Sequence, residues 1–147
     1  MGNKILVALN DSLSSRTVLD YIGNLSLCPD DLQIILLHVF RKPSGGEELM
    51  GKKYMNQQPA KYSAVLEDAK QYLVNKGFFP ENIENVLVTE PYPTIAEGII
   101  EQVRLFSPTM VIIGRKRMSK AEEFVMGDVS IKLVRALEGT AVLVVKM

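Results

Sequence analysis

Val111-Ile112-Ile113-Gly114-Arg115-Lys116-Arg117, followed ten residues on by Gly127-Asp128-Val129-Ser130, is the stretch on which the reading of this chain turns. A short apolar strand ends in a glycine, a loop follows, and a second glycine opens a helix. Proteins hold anions in this geometry, because the first N–H groups of a helix lack intrahelical partners and the dipole there favours negative charge. Yet Arg117 and Asp128 stand where such a loop takes small residues.

Outward from this stretch, strands and helices alternate. Lys4–Asn10 is a short apolar run, bounded by Asp11-Ser12 as a helix N-cap region. Leu13–Leu27 carries apolar residues at 18, 19, 22 and 25, the spacing of one helical face, until Pro29-Asp30-Asp31 breaks it. Leu32–Phe40 is almost continuously apolar, as a strand buried on both faces of a parallel sheet is. Arg41–Gln58 has Pro43, Gly45, Gly46 and Gly51 with little periodicity and reads as a long loop. Pro59–Lys76 is predicted helical, with Tyr62, Val65, Leu66, Ala69 and Leu73 on one face and Gly77 as its stop. Ile83–Thr89 is a third strand. Pro93–Phe106 is a third helix, its approach stiffened by Pro91 and Pro93. Thr109–Gly114, Gly127–Leu137 (closed by Gly139) and Thr140–Lys146 complete a β-α-β-α-β-α-β-α-β order.

That order predicts an α/β fold: a five-stranded parallel sheet in a Rossmann-like, doubly wound three-layer sandwich. Ligands of such sheets bind at the carboxyl ends of the strands, where strand order reverses. Here those ends are Asn10-Asp11, Val39-Phe40, Thr89-Glu90 and Gly114-Arg115. A chain of 147 residues suits one domain, residues 1–147, and neither a repeat nor a linker interrupts it. With 17 basic and 17 acidic residues, a broad nucleic-acid surface is not expected. No apolar run has the length of a membrane span and no leader segment is read, so the expectation is a cytoplasmic protein without a membrane partner. The single Cys28 cannot form an internal disulfide and reads as a small apolar residue near a helix end.

Taken together, these segments resemble the universal stress protein family from Lys4 to Lys146. The resemblance rests on Lys4-Ile5-Leu6-Val7-Ala8 with Ser12, on Leu36-Leu37-His38-Val39, on Val111-Ile112-Ile113-Gly114-Arg115, on the nine residues between Arg117 and Gly127, on Gly127-Asp128-Val129-Ser130, and on Val142-Leu143-Val144-Val145. Each piece is common; their order and spacing are specific. The resemblance implies strand order 3-2-1-4-5. Members that bind ATP carry an Asp at the end of the first strand and a pattern of Gly, two residues, Gly, nine residues, Gly, then Ser or Thr. On this chain those positions hold Asn10, Gly114, Arg117, Gly127 and Asp128. Two glycines match and three positions depart. The backbone near Val39, which in the family meets adenine, could still form that contact. The residues implied for a nucleotide are Ala8, Asn10, Val39, Gly114, Arg117, Gly127, Asp128 and Val129.

The departures work against a bound triphosphate. Glycine lets a phosphate approach the backbone and takes positive φ freely, whereas Arg117 blocks the first and takes the second at a cost. Asp128 is a good helix cap whose carboxylate accepts the N–H groups a phosphate would use. Two like charges ~4 Å apart also cost on the order of 4 kcal/mol at surface-like screening. Asn10 loses the charge of Asp and keeps a hydrogen-bonding side chain. Arg117 and Asp128 are expected to face each other in a salt bridge that fills the phosphate subsite with the protein's own anion. Two other readings stand beside this one: Arg115, Lys116 and Arg117 attract a phosphate while Asp128 points elsewhere, or the basic run is simply a solvated loop.

Other candidates are weaker. His38, the only histidine, cannot build a metal site alone and reads as a satisfied buried residue. Ser12, Ser14 and Ser15 lack a Gly-x-Ser-x-Gly elbow, and a helix cap accounts for Asp11-Ser12 better than a nucleophile does. Glu122-Glu123 reads as a solvated pair. Met50, Met55, Met118 and Met126 flank the expected cleft as adaptable lining or plain packing. Thr140–Lys146 would be an apolar sheet edge, which invites another chain. The family commonly dimerises through this strand, so a two-fold homodimer with Val142 and Val144 at the contact is expected. Two functions follow: a dimeric, non-enzymatic stress-response module with weak or absent ATP binding, or a regulator that holds ATP or AMP, with Mg, in an unusual phosphate subsite. A nucleotide-handling enzyme finds no base and nucleophile pair to support it.

Overall fold

The structure is a computed structural model that describes residues 3–9, 13–25, 27–41, 52–115, 120 and 129–146. Strands β1 (Asn3–Ala8), β2 (Leu32–Arg41), β3 (Ile83–Tyr92), β4 (Met110–Arg115) and β5 (Ala141–Lys146) form one sheet in the order β3-β2-β1-β4-β5, every pair parallel. Helices α1 (Leu13–Asn24), α2 (Lys52–Asn75), α3 (Ile95–Phe106) and α4 (Val129–Ala136) alternate with them. The α/β class and the order 3-2-1-4-5 are those expected from the sequence.

Successive strand residues point to opposite faces, and this divides the core in two. Ile5, Val7, Ile34, Leu36 and Ile112 meet Val18, Leu19 and Ile22 of α1 and Leu66, Ala69 and Leu73 of α2. Leu6, Ile35, Leu37, Val39, Val111 and Ile113 meet Ile99 and Val103 of α3 and Leu133 of α4. Helices therefore cover both faces, which is why β2 shows no polar alternation. The chain builds outward from β1 through β2 to β3, then returns to the other side of β1 for β4 and β5. Strand order thus reverses between β1 and β4, and the strands diverge there at their carboxyl ends.

Several boundaries differ from the sequence expectation. Lys52–Gln58 belong to α2 rather than to a loop, and Pro59 sits inside that helix. Proline favours a first helical turn, and the polar run before it has no apolar stripe to betray a helix. Residues 42–51 lie outside the described residues. Pro91 does not stiffen the approach to α3 but belongs to β3, where the ladder steps from Val39↔Val88 to Arg41↔Tyr92. An edge strand tolerates proline at such a bulge. Helix α3 begins at Ile95 rather than Pro93, and Thr94 caps it: the Thr94 side chain accepts the Glu97 N–H at 3.2 Å. The first helix ends at Asn24, and Pro29–Asp31 forms a short 3-10 turn preceded by Cys28, which is exposed rather than packed. Gly77 and Gly139 have φ of +105° and +70°, the left-handed backbone that glycine takes without cost.

On the outer surface, the Tyr72 hydroxyl donates to Asp20, and Arg16 lies over the Tyr72 ring. The hydrogen bond to Asp20 holds the phenol above its ordinary pKa.

At the end of α3, Ser107 caps the helix with φ 49°, its N–H donating to the Val103 carbonyl at 2.8 Å. A side chain in this left-handed conformation carries strain that glycine does not. Ser107→Gly is expected to raise stability by about 0.5–1 kcal/mol in urea unfolding.

Candidate functional site

A cleft partly open to solvent lies at the carboxyl ends of the strands where their order reverses. Ala8 and Leu9 come from the end of β1, His38 and Val39 from β2, and Ile113 and Gly114 from β4. Ser15 of α1, Ile95 and Ile99 of α3 and Val129 of α4 complete the described wall. The register explains the grouping. Ala8 stands level with Leu37 on one side and Ile113 on the other, so residues one step further along each strand ring a common opening.

Four residues expected from the sequence, Ala8, Val39, Gly114 and Val129, line this one cleft. The other four, Asn10, Arg117, Gly127 and Asp128, lie outside the described residues, as does the expected Arg117–Asp128 salt bridge. So do Asp11, Ser12, Met50, Met118, Glu122, Glu123 and Met126; the side chains of Ser14 and Met55 are likewise not described. Leu9, Ser15, Ile95, Ile99 and Ile113 are lining residues that the sequence reading did not name for the site. Leu9 and Ile113 adjoin named strand-end residues, and adjacency was the available signal. Ile95 and Ile99 were visible only as a helical stripe, which marks core and cleft lining alike.

The described wall is apolar except for Ser15 and His38, both themselves buried. Ile95, at the first turn of α3, is 36% exposed and forms part of the rim. His38 is satisfied: its Nδ1 lies 2.8 Å from the Leu9 carbonyl oxygen. A carbonyl only accepts, so Nδ1 carries the proton. Such a wall suits an uncharged flat or aliphatic group and offers no charged side chain to a phosphate. Among the described residues no three His, Cys, Asp or Glu converge as metal ligands, and no helix is long and apolar enough to cross a membrane.

Val39 is held in the wall by a close helix–strand approach. A Cβ built on Gly98 would lie 2.2 Å from Val39 Cγ1 and 3.1 Å from Tyr92 Cδ2. Only glycine lets α3 come this near to β2 and to the bulged end of β3.

The universal stress protein family profile matches residues 1–146, and the chain belongs to that family. Solved structures share its fold. A universal stress protein in complex with cAMP has 18% sequence identity and a TM-score of 0.69, with 97% of this chain and 95% of that one covered. A family protein from Arabidopsis thaliana with AMP bound has 20% identity and a TM-score of 0.66, covering 98% and 91% respectively. A universal stress protein from Lactobacillus plantarum has 11% identity and a TM-score of 0.71, with 97% of each chain covered. No curated protein matches this chain in sequence.

Gly98→Ala is expected to force Val39 towards the cleft and cost about 1–3 kcal/mol by overpacking. Urea unfolding gives the cost. Methyl chemical shifts of Val39 and Ile99 report whether the wall moves, and unchanged shifts would refute this account of Gly98.

Proposed function

We propose that this protein is a cytoplasmic, single-domain, non-enzymatic stress-response module that keeps the base-and-sugar end of a nucleotide site and has lost the phosphate end, so that ATP binds weakly or not at all. The observation that carries the reading is the apolar cleft at the strand-order reversal, joined in sequence to a loop with Arg117 and Asp128 where glycine and serine or threonine would receive phosphates. The cAMP and AMP complexes of related proteins support a nucleotide as the ligand class. Val39, the position that the family resemblance implies for adenine, lines the described wall. Asp128, which the sequence puts just before the last helix, would compete with an incoming phosphate for free N–H groups.

A second reading keeps ATP or AMP, with Mg, as a true ligand. Gly114 and Val39 in one cleft favour it. The two readings separate on a restoring variant. Arg117→Gly combined with Asp128→Ser is expected to improve ATP affinity by on the order of tenfold or more, since it removes one like-charge contact and reopens the backbone donors. Calorimetric titration that shows no gain would refute the role assigned to these residues.

The same module is proposed to act as a homodimer. β5 is a sheet edge, and no strand among the described residues pairs with its outer side. Beside it, Ile131 and Val134 of α4 are 45% and 63% exposed and share a shallow groove with Val144. Antiparallel pairing of two β5 strands about a two-fold axis would cover Val142, Val144 and this helix face together. Val134 is a surface residue, so Val134→Glu should fold and weaken self-association by on the order of tenfold to a hundredfold. Sedimentation equilibrium measures this; a wild-type monomer at micromolar concentration would refute the dimer.

A further inference from the structure

We propose that His38 and Tyr62 form a clasp that couples the wall of the cleft to the N-terminal arm of α2. A ligand in the cleft then steadies the arm, and a loosened arm weakens the cleft. The coupling of wall and arm stands on the contacts of His38 with Leu9 and Tyr62. Its response to ligand rests on the nucleotide reading given above.

The clasp starts where two strands part. β1 and β2 pair regularly up to Ala8↔Leu37, and the Leu9 N–H still reaches the Leu37 carbonyl at 2.8 Å. Beyond this the strands diverge into the cleft, and the Leu9 carbonyl accepts from the imidazole of His38 at 2.8 Å. A side chain thus bridges the fork. Its orientation matters, because Leu9 and His38 are both part of the cleft wall.

Aromatic packing adds to what holds that orientation. Tyr62 of α2 stacks on the imidazole, with ring centroids 3.7 Å apart and planes 13° from parallel. Phe40 closes the group edge-on, 5.3 Å from His38 and 5.2 Å from Tyr62. The stack reaches beyond the cleft: His38 of β2 is buried, and Tyr62 comes to it from the helix layer of α2.

On the α2 side, Tyr62 occupies a boundary. The fully buried anchors of this helix, Leu66, Ala69 and Leu73, all follow it in sequence. Among the described side chains before Leu66 none is fully buried, and Tyr62 is half-buried. Three residues earlier Pro59 lies inside the helix, where it lacks the N–H that would bond to the carbonyl four residues back. The turn of α2 around Pro59 therefore precedes the described buried anchors, lacks one helical hydrogen bond, and adjoins the sheet through Tyr62 on His38. Linkage makes the tie reciprocal: whatever favours the docked imidazole favours the docked arm, and the reverse.

The test follows amide hydrogen exchange over residues 56–63 in the free full-length protein, for wild type, Tyr62→Ala, Tyr62→Phe and His38→Gln. Loss of an aromatic pair corresponds to roughly threefold to tenfold faster local opening. Tyr62→Ala should show that increase over 56–63 while Leu66–Asn75 keep their protection. His38→Gln should reproduce it from the strand side, and Tyr62→Phe, which keeps the ring on the imidazole, should exchange more slowly than Tyr62→Ala. His38 is the only histidine, so its ring protons form one resolvable set, and they should move when the Tyr62 ring is removed. With millimolar AMP, wild type should gain protection over 56–63 and Tyr62→Ala should not. Unchanged exchange in Tyr62→Ala overturns the clasp even if His38→Gln proves unfolded. AMP-induced protection that survives in Tyr62→Ala overturns the route through Tyr62. Failure of AMP to bind the wild-type protein overturns the nucleotide reading instead, and the ligand-free exchange then decides the clasp.

Discussion

Parallel pairing of β1 with β2 on one side and β4 on the other is the constraint from which the rest of this structure follows. A strand in the middle of a parallel sheet needs both faces covered, and Leu6 and Val7, adjacent in sequence and both fully buried, send their side chains into opposite cores. The helices that cover those faces must come from both directions along the sheet. The chain accordingly runs out to β3, returns, and runs out again to β5. The cleft is a by-product of that reversal: neighbouring connections leave β1 and β4 towards opposite layers and part at the strand ends. The cleft is thus part of the fold, while what it could accept is set by the side chains and loops around it.

Those side chains divide the work. On the β2 side the wall is packed and specific. Gly98 lets α3 press Val39 into place, the bulge in β3 brings Tyr92 against the same spot, and His38 closes the fork between β1 and β2. These contacts pre-form an apolar surface before any ligand arrives. On the β4 side the strand ends in Gly114, and the sequence beyond it, through Arg117 to Asp128, supplies charges of both signs. A nucleotide needs both halves, one for its base and one for its phosphates, and the proposed loss of ATP affinity comes from the second.

The fold was legible because buried parallel strands and amphipathic helices have different periods, and Leu32–Phe40, Val111–Gly114 and Val142–Val145 show nearly pure apolar runs. The first turns of α2 were not legible, because Lys52–Gln58 have no apolar stripe and Pro59 imitates a helix start. Pro91 misled for a related reason: proline marks a break in pairing as readily as the approach to a helix, and only the β3 register tells which. In the site, strand-end residues such as Ala8, Val39 and Gly114 could be named from the alternation and the family resemblance. Ile95 and Ile99 could not, since a helical stripe does not say which of its turns faces a cavity. Nor could the stack of Tyr62 on His38, which joins residues 24 positions apart in sequence and exists only once α2 lies across β2.

The central claim is that the apolar half of a nucleotide site survives beside an altered phosphate half. Calorimetric titration of the purified wild-type protein with magnesium ATP, set against AMP under the same conditions, tests it most directly. The account predicts no measurable heat or millimolar affinity for ATP, with AMP bound no more weakly than ATP. Micromolar or tighter binding of ATP, gained through its additional phosphates, would contradict it.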